Sequence, residues 1–101
     1  MAKKSSIRRN LNRKNKAIRQ KAKRNALSKI AKDVALPFEE RLKAQVKLSE
    51  LSRDGSYIRY RNRCSLSGRP RGFYRKFSLS RIALRDLASW GQIPGLIKSS
   101  W

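Results

Sequence analysis

The stretch Cys64–Gly72 reads CSLSGRPRG, and it holds the only cysteine of a 101-residue chain. If Cys64 opens a zinc-ribbon pattern (Cys-x-x-Cys, twelve residues, Cys-x-x-Cys), the other ligand positions fall on Ser67, Ser80 and Ala83. None of the three can supply a thiolate, so one ligand of four remains and no closed structural zinc site is expected. A disulfide within the chain is equally excluded, and a reducing compartment is compatible. Gly68, Pro70 and Gly72 prevent a continuous helix here. Pro70 stiffens the loop and the glycines allow close backbone approach to a partner, so Arg69 and Arg71 are expected on a short preorganised projection, with Arg75 and Lys76 just beyond.

Outward from this loop the chain is strongly basic: 27 Lys and Arg against 6 Asp and Glu give a net charge of +21. Leu, Ile, Val and Phe supply 23 of 101 residues, little core for a chain whose cations repel one another. Ordering each residue costs about 1–2 kcal/mol of backbone entropy, so a polyanion is expected to complete the fold. Nucleic acid is the first candidate. Without histidine, and with one cysteine and few acids, the chain has no constellation for acid–base or nucleophilic catalysis; no enzyme, cofactor or small-molecule substrate is expected. No apolar run approaches the ~20 residues of a membrane span and no signal-peptide core follows MAKKSS, so a soluble, non-secreted protein without membrane partners is expected.

Upstream, residues 1–32 carry thirteen Lys or Arg and no acid. Ile7, Leu11, Ile18, Ala22, Ala26, Ile30 and Val34 recur at helical spacing, which predicts a basic helical arm, with at most one break, around a narrow apolar stripe. Cations such as Arg8, Arg9, Arg13 and Lys14 occupy the rest of its circumference. A solvated helix fits the same pattern, but like charges at i,i+4 would destabilise it when free, which favours contact with RNA. The segment from Leu36 to Ser56, LPFEERLKAQVKLSELSRDGS, has nearly balanced charge. Pro37, Glu39 and Glu40 suit a helix start, RDGS a stop, and Phe38, Leu42 and Val46 with Leu48 and Leu51 an apolar row that folds back on the arm as a helical hairpin.

In YIRYRNRC, Tyr57–Cys64, aromatics and arginines interleave as in an extended strand. Tyr57 and Tyr60 suit stacking on unpaired bases and equally suit a plain sheet edge; Arg59, Arg61 and Arg63 are assigned to phosphate. Lysine outnumbers arginine eight to five before Asp33, and arginine leads eight to two after Gly55. That shift predicts non-specific attraction in front and geometry-dependent recognition behind. Downstream, Ser78 or Ser80 can cap a last helix, Gly91 and Pro94 end it, and Leu79, Ile82, Ala83, Leu87 and Trp90 form its apolar face. Arg81 and Arg85 share another face, toward phosphate or toward solvent. The tail IPGLIKSSW, ending on Trp101, is expected to dock on a neighbour or on its own domain.

The frame RNRCSLSGRPRGFYRKFSLSRIALRDLA, residues 61–88, with the closing GQIPGLIKSSW, resembles the small-subunit ribosomal protein fourteen family in its longer, zinc-free form. The basic front agrees in length and character. The resemblance implies a structural constituent of the small ribosomal subunit that wraps ribosomal RNA in the head, beside small-subunit proteins three, ten and nineteen. It further implies that packing by Leu66, Phe73, Phe77, Leu79, Ile82 and Leu87, with RNA contact, replaces the metal of the short form. The family's glycine after RKF is Ser78 here, where a positive φ would strain a serine.

The expected fold is mostly α with little β. Residues 1–54 form the basic helical arm and hairpin; residues 55–101 form a zinc-ribbon-like module that has lost its metal, with a C-terminal helix and extended tail. The site is placed on the ribosome, in a bacterial cytoplasm or in an organelle (mitochondrial matrix or plastid stroma). An architectural DNA-binding protein is the nearest alternative, because phosphate attraction does not distinguish the two polymers. A membrane-active cationic helix has no use for the Gly/Pro/Arg loop, and although an acid-free front also suits a transit peptide, its stripe reads as mature protein.

Overall fold

Neither glycine nor proline occurs before Pro37, and residues 4–32 are rich in Lys, Arg, Ala and Gln, all good helix formers. They form one unbroken helix, α1 (Lys4–Lys32), in a computed structural model that describes residues 1–99. Lys29 and Lys32 complement the dipole of its last turn. Asp33 stops it: its carboxylate accepts from the Ala35 N–H at 3.0 Å, turning the chain into Pro37 and α2 (Phe38–Glu50). Glu39 and Glu40 occupy the first turn of α2 and Lys47 the last.

The chain divides into two compact units, Arg8–Tyr60 and a second made of Met1–Ile7 with the chain from Arg61 onward. In the first unit α2 runs back along α1. Arg41 Nε donates to the Ala31 carbonyl at 3.3 Å, Arg24 Nη2 to the Ser52 carbonyl at 2.6 Å, and Arg13 Nε to Asp54 at 3.4 Å. This hairpin does not close on the predicted apolar stripes. Leu11, Ile18, Ile30 and Val34 of the α1 stripe are exposed, as are Phe38, Leu42 and Val46 of α2. The covered seam instead runs through Asn10, Arg13, Ala17, Gln20, Arg24, Leu27 and Ala31, at steps of three and four, and through Arg41, Ala44, Leu48 and Leu51. Ala17 and Ala44 are its buried apolar positions, each 4% exposed. Across this seam the longer arginines reach to backbone carbonyls.

After α2 the chain makes two short 3-10 turns: Arg53–Gly55, within the RDGS turn signal, and Tyr57–Arg59, at the start of the stretch whose pattern predicts a strand. The Ser56–Tyr60 backbone bonds to itself, Arg59 N–H to Ser56 and Tyr60 N–H to Tyr57, which removes the donors that a ladder would need. Gly55 is buried against α1, and a Cβ there would overlap the side-chain amide of Gln20.

In the second unit, β1 (Phe73–Tyr74) and β2 (Leu79–Ser80) pair antiparallel, Phe73 opposite Ser80 and Tyr74 opposite Leu79. Helix α3 (Arg81–Ser89) follows directly. Ser80 is its cap, its Oγ accepting from the Ala83 N–H at 3.3 Å. Gly91, at φ 70, closes it: the N–H groups of Gly91 and Gln92 return to the carbonyls of Ala88 and Leu87. The core is Cys64, Leu79 and Leu84, with Phe77, Ala83, Leu87 and Ile93 packed around it. Of the residues expected to pack, Leu66 and Ile82 are exposed, and so is Trp90. Leu84 and Ile93 take their places because α3 turns the Leu84 side toward Cys64. Two buried leucines contribute about 1.5–3 kcal/mol each, a small core for so charged a chain. Among the described tail residues Leu96 and Ile97 line a cleft with Tyr74 and Leu84; Trp101 lies outside the described residues.

Candidate nucleic-acid interface

Cys64 organises the loop that follows it. Its N–H donates to the Arg69 carbonyl at 3.1 Å and its own carbonyl accepts from the Gly68 N–H at 2.9 Å. Burial pushes the thiol up, but donation to its sulfur from the Ser67 hydroxyl and from the N–H groups of Ser67, Ser80 and Leu66 outweighs this and brings it from 9.0 down to about 6. Two of the three non-cysteine ribbon positions thus donate to Cys64, and the third, Ala83, donates to Ser80 Oγ. One thiol, two hydroxyls and a methyl do not make a zinc donor set. Among the described residues no cluster of three His, Cys, Asp or Glu could hold a metal ion.

Backbone and side-chain hydrogen bonds hold the loop. Gly68 (φ 74) and Gly72 (φ 61) take left-handed backbone, and a Cβ on Gly68 would stand 2.6 Å from Ile7 Cδ1. Arg61 Nε donates to the Pro70 carbonyl at 3.2 Å, Arg63 Nη1 to the Gly68 carbonyl at 3.0 Å, and the Arg81 N–H to the Gly72 carbonyl at 2.7 Å. Arg61 and Arg63 therefore brace the loop. Arg63 Nε stays buried with no partner among the described residues. Arg71, Arg75, Lys76 and Arg81 are exposed; Arg69 and Arg85 are half-buried. Lys76 also lies 5.7 Å from the Phe77 ring.

In the other unit Arg8 and Arg9 are exposed, whereas Arg13 and Arg59 converge on one acid. Asp54 Oδ1 accepts from Arg59 Nη1 at 2.7 Å and from Arg13 Nε at 3.4 Å. Tyr57 and Tyr60 stand with ring centroids 5.9 Å apart and Lys14 lies 5.8 Å from the Tyr60 ring. Asp54 escaped notice as an organiser of cations because RDGS reads first as a turn; an acid isolated among arginines was the available signal. Arg24 and Arg41, hidden among thirteen arm cations and a balanced helix, had no signal in residue type.

No described helix is long and apolar enough to cross a membrane. A family profile described as Ribosomal protein S14p/S29e matches residues 47–100. Proteins named small ribosomal subunit protein uS14 match the whole chain over their own full length: 58% identical in Rhodospirillum centenum, 58% in Maricaulis maris and 59% in Ehrlichia canis. The chain belongs to the ribosomal protein S14p/S29e family and is a structural, non-enzymatic component of the small ribosomal subunit.

Proposed function

We propose that the chain binds ribosomal RNA in the head of the small subunit, beside small-subunit proteins three, ten and nineteen, and supports assembly and the subunit's conformation during translation. The observation that carries this reading is the Cys64–Gly72 loop, whose carbonyls are held by Arg61, Arg63 and backbone N–H groups while Arg71 stays exposed. A loop already ordered loses less entropy on binding, and guanidinium forks then meet phosphates in fixed geometry. Residues 1–54 supply long-range attraction and residues 55–101 directed contacts, with Arg69, Arg71, Arg75, Lys76, Arg81 and Arg85 on RNA. The module is a zinc ribbon without its metal: hydrogen bonds to Cys64 and packing around it stand where the ion would be. The bacterial relatives favour a bacterial cytoplasmic ribosome over an organellar one.

Co-sedimentation with small subunits after a high-salt wash tests this. Arg69→Ala with Arg71→Ala should weaken retention more than Lys3→Ala with Lys4→Ala, although both remove two charges. Equal losses would reduce the loop to bulk charge.

A further inference from the structure

Beside the braced loop the second unit has a groove of about 650 Å³ lined mostly by apolar atoms. That volume falls within the ~300–1,000 Å³ range of sites that enclose a small ligand. Its walls differ chemically. Along α3, Ile82, Asp86 and Trp90 form one i, i+4, i+8 row, all exposed, Trp90 to 70%. Pro70 and the loop arginines Arg69 and Arg71 line the same groove. Asp86 is the only acid in the sequence after Asp54.

An aromatic plane, two guanidinium groups and one carboxylate match the parts of a nucleotide. We propose that this groove receives a single unpaired guanine nucleotide of the RNA, an assignment that rests on the RNA-binding reading above. The base stacks on the Trp90 indole, a contact available to any nucleobase. Arg69 and Arg71 take the adjoining phosphates. Asp86 supplies the discrimination: an ionised carboxylate has acceptors only, and guanine alone presents two adjacent donors, N1–H and N2–H, on its Watson–Crick edge. The positive surroundings favour an anionic occupant, and Asp86, exposed on the groove wall, is placed to accept from a bound base.

The test uses the full chain carrying Trp101→Phe, so that fluorescence reports on Trp90, titrated at fixed salt with short oligouridine RNAs whose central nucleotide is guanosine, adenosine or abasic. The guanosine RNA should quench Trp90 and bind about tenfold more tightly than the abasic one. Read by the anisotropy of end-labelled RNA, since these variants lack tryptophan, Trp90→Ala should erase that margin and Trp90→Phe should keep most of it. Asp86→Asn should remove the preference for guanosine over adenosine while leaving the abasic RNA no weaker. Equal binding of the three RNAs, with binding to whole ribosomal RNA intact, overturns the groove assignment alone; loss of all RNA binding overturns the underlying reading too. Should Trp90→Ala spare every RNA but weaken incorporation of a neighbouring protein into the subunit, the groove is a protein seat and the assignment fails.

Discussion

The backbone N–H of Ser65 donates to the Ser78 carbonyl at 3.0 Å, tying the residue after the cysteine to a serine held at φ 54. Among the described residues Ser78 is the one non-glycine in left-handed backbone. That conformation costs an L-residue about 1–2 kcal/mol, part of which glycine would return as chain entropy in the unfolded state. Ser78→Gly should therefore stabilise the free protein by about 0.5–1 kcal/mol in denaturant unfolding. Gly91→Ala, at φ 70 with open space around it, should show the strain alone, and Gly68→Ala should lose more because its Cβ also meets Ile7. Equal losses at the two glycines would mean that Ile7 yields freely.

Asp54 joins Arg13 and Arg59 in partly exposed pairs of the kind that contribute about 0.2–1 kcal/mol each. Asp54→Asn should lower the melting temperature slightly and raise RNA affinity, since two arginines are released and one negative charge disappears. Filter binding at fixed salt checks it; a fall in affinity would show that Asp54 aims these arginines at RNA instead of occupying them.

Cys64 makes stability depend on pH. Its folded value, about 6, lies below the ordinary 9.0, so between these values the unfolded chain holds a proton that the folded chain has released. Stability from this group is complete above pH ~9, declines as pH falls and is lost below ~6. Urea midpoints should rise with pH across that window in the wild type and rise less in Cys64→Ala. Parallel pH profiles would contradict the hydrogen bonds to sulfur.

Ser67→Cys, Ser80→Cys and Ala83→Cys together should create a zinc site around Cys64, because Ser67 and Ser80 already surround its sulfur and Ala83 caps onto Ser80. The variant should take up one zinc per chain, and its second unit should then resist unfolding without RNA, zinc binding adding about 10 kcal/mol or more. Absence of a tetrahedral four-sulfur signature in X-ray absorption would reject the ribbon geometry.

Legibility in the sequence followed how local the determinant was. The turn at Gly68–Gly72 and the Gly91 stop each depend on one residue's backbone and are readable. The cap is readable to Ser78 or Ser80, with the structure placing it on Ser80, and the strain at Ser78 is legible only through the family resemblance. Which face of a helix is covered depends on its neighbour. Leu11 and Ile18 belong to the arm's periodic apolar stripe, yet the seam passes through Ala17, Leu27 and arginines that bond across it. Likewise aromatics and arginines interleave over Tyr57–Cys64 as in a strand, but nothing in the pattern reveals that Tyr57–Arg59 bonds to its own backbone as a 3-10 turn. The loop arginines were singled out from their spacing; that Arg61 and Arg63 hold the loop while Arg71 faces outward required the hydrogen bonds.

The most direct measurement is the affinity of the full chain for folded small-subunit ribosomal RNA, and for duplex DNA of equal length, across ~50–200 mM salt. Log affinity should fall steeply and linearly with log salt for both polymers, with ribosomal RNA bound more tightly at every concentration. A flat dependence would contradict phosphate contact by these cations, and equal binding of RNA and DNA would leave a charged chain with no recognition of ribosomal RNA.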